Sequence, residues 1–221
     1  MDALLAAELS PETLAALQAH LATVQVEDAV ASTEKDVSED FRLSQFWYDD
    51  VTGEALAREA LEKSKGGPIA FLSTPAAFKA LKKLEPERKD VYIFEYDHRF
   101  GQKYGDQFVF YDYNAPLDVD AKFHKFFDYV LVEPPYLTET CMKGFGETMR
   151  LISRQVTREE GQKDVLVTPN VFINSGALRE AMFEELGLTP SGFVPTFESK
   201  LSNRLTTYIN YESDRFGKYD E

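Results

Sequence analysis

Apolar residues along this chain follow two alternating patterns, stripes spaced three or four residues apart and short unbroken runs, which predict helices and buried strands in turn. The first stripe, Leu14, Leu17, Leu21 and Val24, follows Ser10 and Pro11, a pair suited to starting a helix. After it, "VEDAVASTEKDVSED" has no period and no aromatic residue. Residues 1–40 therefore read as an amphipathic helix and an acidic linker, and residues 41–221 as the main domain.

From Phe41 the alternation becomes regular. Leu56, Ala57, Ala60 and Leu61 share a helix face, "GGP" interrupts, and "IAFLS" at 69–73 predicts a strand buried on both sides. Thr74 and Pro75 fit the N-cap and first position of a helix that turns Phe78, Leu81 and Leu84 inward. "VYIFEYD" and "QFVFYDY" predict a second and a third strand. "FDYVLVEPPY" predicts a fourth that stops at its prolines, ahead of a helix carrying Met142, Phe145, Met149 and Ile152. Beyond the charged stretch "RQVTREEGQKD", the run "DVLVTPNVF" predicts a fifth strand. Leu178, Met182 and Leu186 then predict a helix closed by Gly187. "GFVPTF" and "LTTYINYE" predict an antiparallel pair. The whole is a three-layer α/β fold whose sheet is mostly parallel, with an antiparallel C-terminal hairpin.

Composition narrows the partners. A chain of 221 residues can bury one good-sized core. Its net charge of −14 repels polyphosphate, and no dense Lys/Arg run offsets this, so nucleic acid is not expected to bind. A basic protein surface or a small molecule fits better, although acidity also simply keeps a protein soluble. Cys141 is the only cysteine, and His20, His98 and His124 lack ligand spacing, so neither a disulfide nor a metal site is expected. No apolar run approaches the roughly 18 residues of a membrane span. The first basic residue is Lys35, which does not suit a secretory signal, so a cytoplasmic monomer is expected.

The chemistry should lie at the carboxyl ends of the parallel strands. Ser73 and Thr74 end the first at a helix start, where free N–H groups can hold an anion. Glu95 and Asp97 end the second, roughly where a dinucleotide-type fold sets an acid on ribose hydroxyls. Asp112, between Tyr111 and Tyr113, ends the third and suits an adenine amino group beside a flat wall. Singly, such acids also serve as turn formers; together they read as a nucleoside site. No G-x-G-x-x-G is present, so a ligand with adenosine and no phosphates fits better than a dinucleotide, and S-adenosylmethionine has that shape. At the fourth strand end, Pro134 and Pro135 lack N–H groups and leave carbonyls that only accept. With the Glu133 carboxylate they can orient an amine beside a methyl donor, while Tyr136 walls the acceptor channel and favours a sulfonium.

The acid-Pro-Pro-aromatic element resembles motif IV of class I methyltransferases that modify amino groups. Longer strings, "LSQFWYDDVTGEALA", "YIFEYDHRFG", "FVFYDYNAPLD" and "VEPPYLTETC", resemble the lysine methyltransferase family that acts on translation elongation factor 1-alpha. The likeness runs from about Phe41 to Tyr211. It implies a Rossmann-like, seven-stranded class I methyltransferase sheet, S-adenosylmethionine as cofactor, and methylation of a lysine on that factor. By the same resemblance Glu95 would hold the ribose and Asp112 the adenine amino group. Ser73 and Thr74 would border the methionine moiety, and Glu133, Pro134, Pro135 and Tyr136 would frame the acceptor amine. Trp47, with Phe46 and Tyr48, would cover the cofactor. The family usually carries Asp where this chain has Glu133. Two alternatives stand beside this reading: an adenine-amino methyltransferase on nucleic acid, and a non-catalytic cofactor-binding relative.

Overall fold

The computed structural model describes residues 37, 45, 47–136, 138–157, 165–175, 178–198 and 205–220. The chain divides into two units, Met1–Ser38 and Glu39–Glu221, and nearly all of the described residues belong to the second. The helix read over residues 10–24, most of the acidic stretch after it, and Phe46 lie outside the described residues.

Asp49 caps the first helix, α1 (Asp50–Lys63), by accepting a 2.8 Å hydrogen bond from the Thr52 amide, one of the amides a helix start leaves unpaired. β1 (Ile69–Leu72) follows, then α2 (Pro75–Leu84), β2 (Val91–Glu95), the short α3 (Arg99–Tyr104), β3 (Phe108–Phe110), β4 (Tyr129–Val132) and α4 (Glu139–Ile152). The chain finishes with β5 (Val156–Thr157), β6 (Val165–Leu166), β7 (Asn170–Ser175), α5 (Arg179–Leu186), β8 (Thr189–Pro190) and β9 (Leu205–Ile209).

Seven strands form one sheet in the order β3-β2-β1-β4-β7-β9-β8. It is parallel from β3 to β7, and β9 runs antiparallel to both β7 and β8. The unbroken apolar runs are explained by burial on both faces. Successive strand side chains point to opposite sides. Thus Ile69 and Phe71 pack with Leu56, Ala60, Phe78 and Leu81 of α1 and α2, whereas Ala70 and Leu72 belong with Phe145, Met149 and Met182 of α4 and α5. This is the expected three-layer α/β architecture. Among the described residues no helix is long and apolar enough to cross a membrane.

Two strand predictions need correction. Val165 and Leu166, read as part of the fifth strand, pair instead with Thr157 and Val156 in a separate ribbon. Pro169 cannot donate to a ladder. The chain turns there, with the Asn210 side chain donating to the Leu166 and Thr168 carbonyls at 2.9 Å each, and β7 starts at Asn170. Nor does "GFVPTF" form a strand of the sheet. The outer partner of β9 is Thr189–Pro190, an edge position where the missing proline N–H is tolerated. Residues 192–197 leave the sheet and return as a single bridge from Phe197 to Tyr48.

The connectivity also fixes where a ligand can enter. From β1 the chain winds outward through β2 to β3, then crosses back so that β4 lies on the other side of β1. The crevice between the carboxyl ends of β1 and β4 is the switch point at which open α/β sheets bind ligands.

Candidate active site

At that crevice lies a cavity of about 360 Å³. Ser73, directly after β1, takes a left-handed backbone with φ of 52° while its amide still donates to the Phe94 carbonyl at 2.9 Å. A non-glycine residue in this region is strained, and such strain tends to gather at functional sites. The turn brings Thr74 and the start of α2 to the cavity wall. Thr74 occupies the predicted N-cap position, but its buried hydroxyl makes no capping bond and has no hydrogen-bond partner among the described residues.

Glu95, the last residue of β2, is 7% exposed, and burial pushes its carboxyl up to about 7, against the lowering effect of backbone amides. One of these amides is that of Tyr96, donating to Oε1 at 3.2 Å. Beyond β3, Asp112 Oδ1 accepts from the Asn114 amide at 2.9 Å and from its side chain at 2.8 Å, an Asx turn that fixes the carboxylate at the rim. The ring of Tyr113 stacks on Phe145 at 6.1 Å and meets Tyr136 edge-on at 6.0 Å. Gly144 permits this approach of α4, since a Cβ there would come within 2.5 Å of the Tyr113 carbonyl.

Glu133 extends the pairing of β4 by one residue, its amide donating to the Leu72 carbonyl at 3.1 Å. Pro134 and Pro135 then end the ladder, and Tyr136 stands 44% exposed at the mouth. Burial pushes the Glu133 carboxyl up to about 8; the Tyr48 hydroxyl opposes that rise and the charge of Glu95 adds to it. Tyr48 itself is held well above the ordinary tyrosine range, by burial first and then by Glu133.

All of the predicted site residues except Asp97 line this one cavity. Asp97 is taken up elsewhere: Arg99 grips it at 2.6 and 2.9 Å and Gln45 donates to it at 3.1 Å. Burial raises the Asp97 carboxyl, but these bonds outweigh it and leave the group below its ordinary value. Its part is to hold Gln45, which does reach the cavity.

A family model described as "Probable N6-adenine methyltransferase" matches residues 39–213. The chain belongs to this methyltransferase family. Among its relatives, the Homo sapiens protein named EEF1A lysine methyltransferase 1 is 36% identical over 214 residues, covering 93% of this chain and 92% of the human one. The Caenorhabditis elegans protein-lysine N-methyltransferase M142.8 is 32% identical over 221 residues, 95% and 96% of the two chains. The Saccharomyces cerevisiae protein-lysine N-methyltransferase EFM5 is 32% identical over 180 residues, 79% and 73%.

Several residues of the methyltransferase cavity had no sequence signal. Gln45 and Leu205 look like any polar and apolar residue, and Tyr96 reads as the outward position of a strand. Asn114, two residues after Asp112, was detectable as an Asx-turn partner. Phe145 was read only as core, and it serves both core and cavity. In this methyltransferase no group of His, Cys, Asp and Glu among the described residues could hold a metal ion.

Proposed function

We propose that this enzyme transfers a methyl group from S-adenosylmethionine to a lysine amine of translation elongation factor 1-alpha. It acts as a cytoplasmic monomer, with residues 41–221 as the catalytic domain and residues 1–40 as an appended helix and linker. The observation that carries this reading is one cavity holding three strand-end acids, Glu95, Asp112 and Glu133, around an acid-Pro-Pro-Tyr turn. The names and near-full-length similarity of the relatives support the choice of acceptor, as does a chain of charge −14 facing a basic substrate.

The donor set fits the cofactor. A volume of about 360 Å³ falls within the range of roughly 300–1,000 Å³ usual for small-ligand clefts. The orphaned Thr74 hydroxyl and the start of α2 suit the carboxylate of an amino acid. Glu95 has acceptor capacity left for ribose hydroxyls, Asp112 suits the adenine amino group, and Tyr96 and Tyr113 supply flat walls. When bound, S-adenosylmethionine supplies an electrophilic methyl carried on a sulfonium.

The remaining work falls to this chain. A lysine amine has a pKa of about 10.4 and, while protonated, no lone pair to offer. Enclosure near Pro134 and Tyr136 disfavours the ammonium by desolvation. The Pro134 carbonyl and the Glu133 carboxylate accept the amine hydrogens and aim the lone pair, and Glu133, once ionised, can receive the departing proton.

The test is transfer of labelled methyl from S-adenosylmethionine to purified elongation factor 1-alpha, with DNA and RNA oligonucleotides in parallel at physiological salt. Label on a lysine, lost with Glu133→Ala, is the expected result. Label on adenine would favour the second reading, which rests on the family description. Cofactor binding with no transfer would mark a non-catalytic relative.

A further inference from the structure

Tyr48 lines the cavity, is 3% exposed, and carries a buried hydroxyl with no hydrogen-bond partner among the described residues. Leaving such a group unpaired is costly, so a tyrosine rather than a phenylalanine calls for a reason. The Glu133 carboxyl lines the same cavity, close enough that each group acts on the other. Its position is well determined. The Tyr48 ring packs on Phe197 at 5.1 Å and its backbone bridges to the same residue. On either side, the Glu198 amide donates to the Trp47 carbonyl and the Asp49 amide to the Thr196 carbonyl, each at 3.1 Å. The Thr52 and Thr196 hydroxyls, 2.9 Å apart, complete the clasp.

We propose that Tyr48 is a positioning residue for methyl transfer: its hydroxyl donates to the Glu133 carboxylate when a cationic ligand ionises that acid, and so fixes the carboxylate against the acceptor amine. This rests on the function proposed above. The clasp to residues 196–198 makes the 193–198 segment part of the acceptor site, although it reads in sequence as an ordinary strand.

Of the groups facing Glu133, Glu95 at the end of β2 raises its proton affinity and Tyr48 lowers it. The other ionisable residues of the lining are Asp112, Tyr96, Tyr111, Tyr113 and Tyr136. Removing the Tyr48 hydroxyl therefore removes support for the ionised form, and the titration of Glu133 must move to higher pH.

Tyr48→Phe keeps the ring and its packing, so folding is preserved. With glutamate carboxyls labelled by carbon-13, NMR should place the Glu133 midpoint higher in Tyr48→Phe than in the wild-type full chain. For each unit of that shift, kcat/KM near neutral pH should fall about tenfold and its pH profile should move by the same amount. S-adenosylmethionine affinity should weaken in step near neutral pH, since binding must expel the Glu133 proton, and should return to within about twofold of wild type at a pH above both midpoints. With Glu133→Gln or Glu133→Asp already present, Tyr48→Phe should cost nothing further. An unmoved midpoint, or losses that simply multiply in the double variants, would overturn the pairing. If wild-type enzyme leaves elongation factor 1-alpha unlabelled, the functional reading fails, and the NMR titration still decides whether Tyr48 supports Glu133.

Discussion

Glu59 and Glu133 are both enclosed beside tyrosines, yet their surroundings differ in one respect. Glu59, on α1 and 0% exposed, receives the Arg215 Nε at 3.1 Å, and Arg215 also reaches Glu62 at 3.0 Å. Close by, the Tyr129 and Tyr211 hydroxyls meet at 3.3 Å, and the charge of Glu59 contributes to holding both above their ordinary range. Glu133, following the last residue of the strand that Tyr129 begins, lies in a cavity whose lining, among the described residues, contains no lysine or arginine. The first acid has an internal cation and clasps the C-terminal segment to α1. The second has none among the described residues, and burial pushes it up to about 8, so that it is mostly protonated at neutral pH. A half-buried, desolvated carboxyl with no counter-ion among the described residues is a poor device for stability and a good one for receiving a cation from outside.

The contrast is broken most severely at the structural pair. Arg215→Ala should destabilise the fold by about 3 kcal/mol, the low end for stranding one member of a buried pair, since Arg215 is itself 33% exposed. Denaturant unfolding measures this, and cofactor affinity should be unaffected. Unchanged stability would mean that Glu59 is not held by Arg215 in solution.

Glu133→Gln should behave in the opposite way, with kcat/KM falling on the order of a hundredfold and no loss of stability. The pH dependence sharpens the point. Glu95 and Glu133 have native values of about 7 and about 8, above the roughly 4.3 of an unfolded chain. Between those values the native state binds more protons, so stability is greatest at low pH and is lost as pH rises through the native values. Melting of the ligand-free enzyme should therefore fall from about pH 5 to pH 8, and Glu133→Gln should flatten the upper part of that slope. A slope identical in both proteins would remove Glu133 from the account.

Smaller effects test the walls. Gly144→Ala puts a methyl within 2.5 Å of the Tyr113 carbonyl, and overpacking of this kind costs about 1–3 kcal/mol. Because Tyr113 lines the cavity, cofactor affinity should weaken in parallel, as calorimetry would show. Ser73→Gly relieves a φ of 52°. It should gain no more than about 1 kcal/mol in denaturant unfolding, with the strain relieved partly offset by the entropy of glycine.

How far the sequence revealed the site can be judged from neighbouring residues. Glu95 and Asp97 look alike on paper, both acids closing an apolar run. They part because Arg99 lies within reach of Asp97 alone and turns it to structural use. The strands β1, β2 and β4 were legible because burial on both faces leaves unbroken apolar runs. The bounds of β7 were not, since "DVLVTPNVF" continues an apolar run through a turn at Pro169 that is held by hydrogen bonds from the Asn210 side chain and between Thr168 and Gln155. Acids at strand ends could be picked out one by one, because each sits where its own run stops. The meeting of Tyr48 with Glu133 could not, because it depends on Phe197 and Thr196 returning from a segment that sequence alone assigns to the sheet.

The most direct test of the central claim, that the cavity keeps an unpaired acid for a cation carried in by its ligand, is the proton balance of cofactor binding. Calorimetric titration with S-adenosylmethionine at pH 7, in buffers of different ionisation enthalpy, reads the protons released. The account predicts net release in the wild-type enzyme and a smaller release in Glu133→Gln. Binding with no proton release, or with the same release in both proteins, would contradict it.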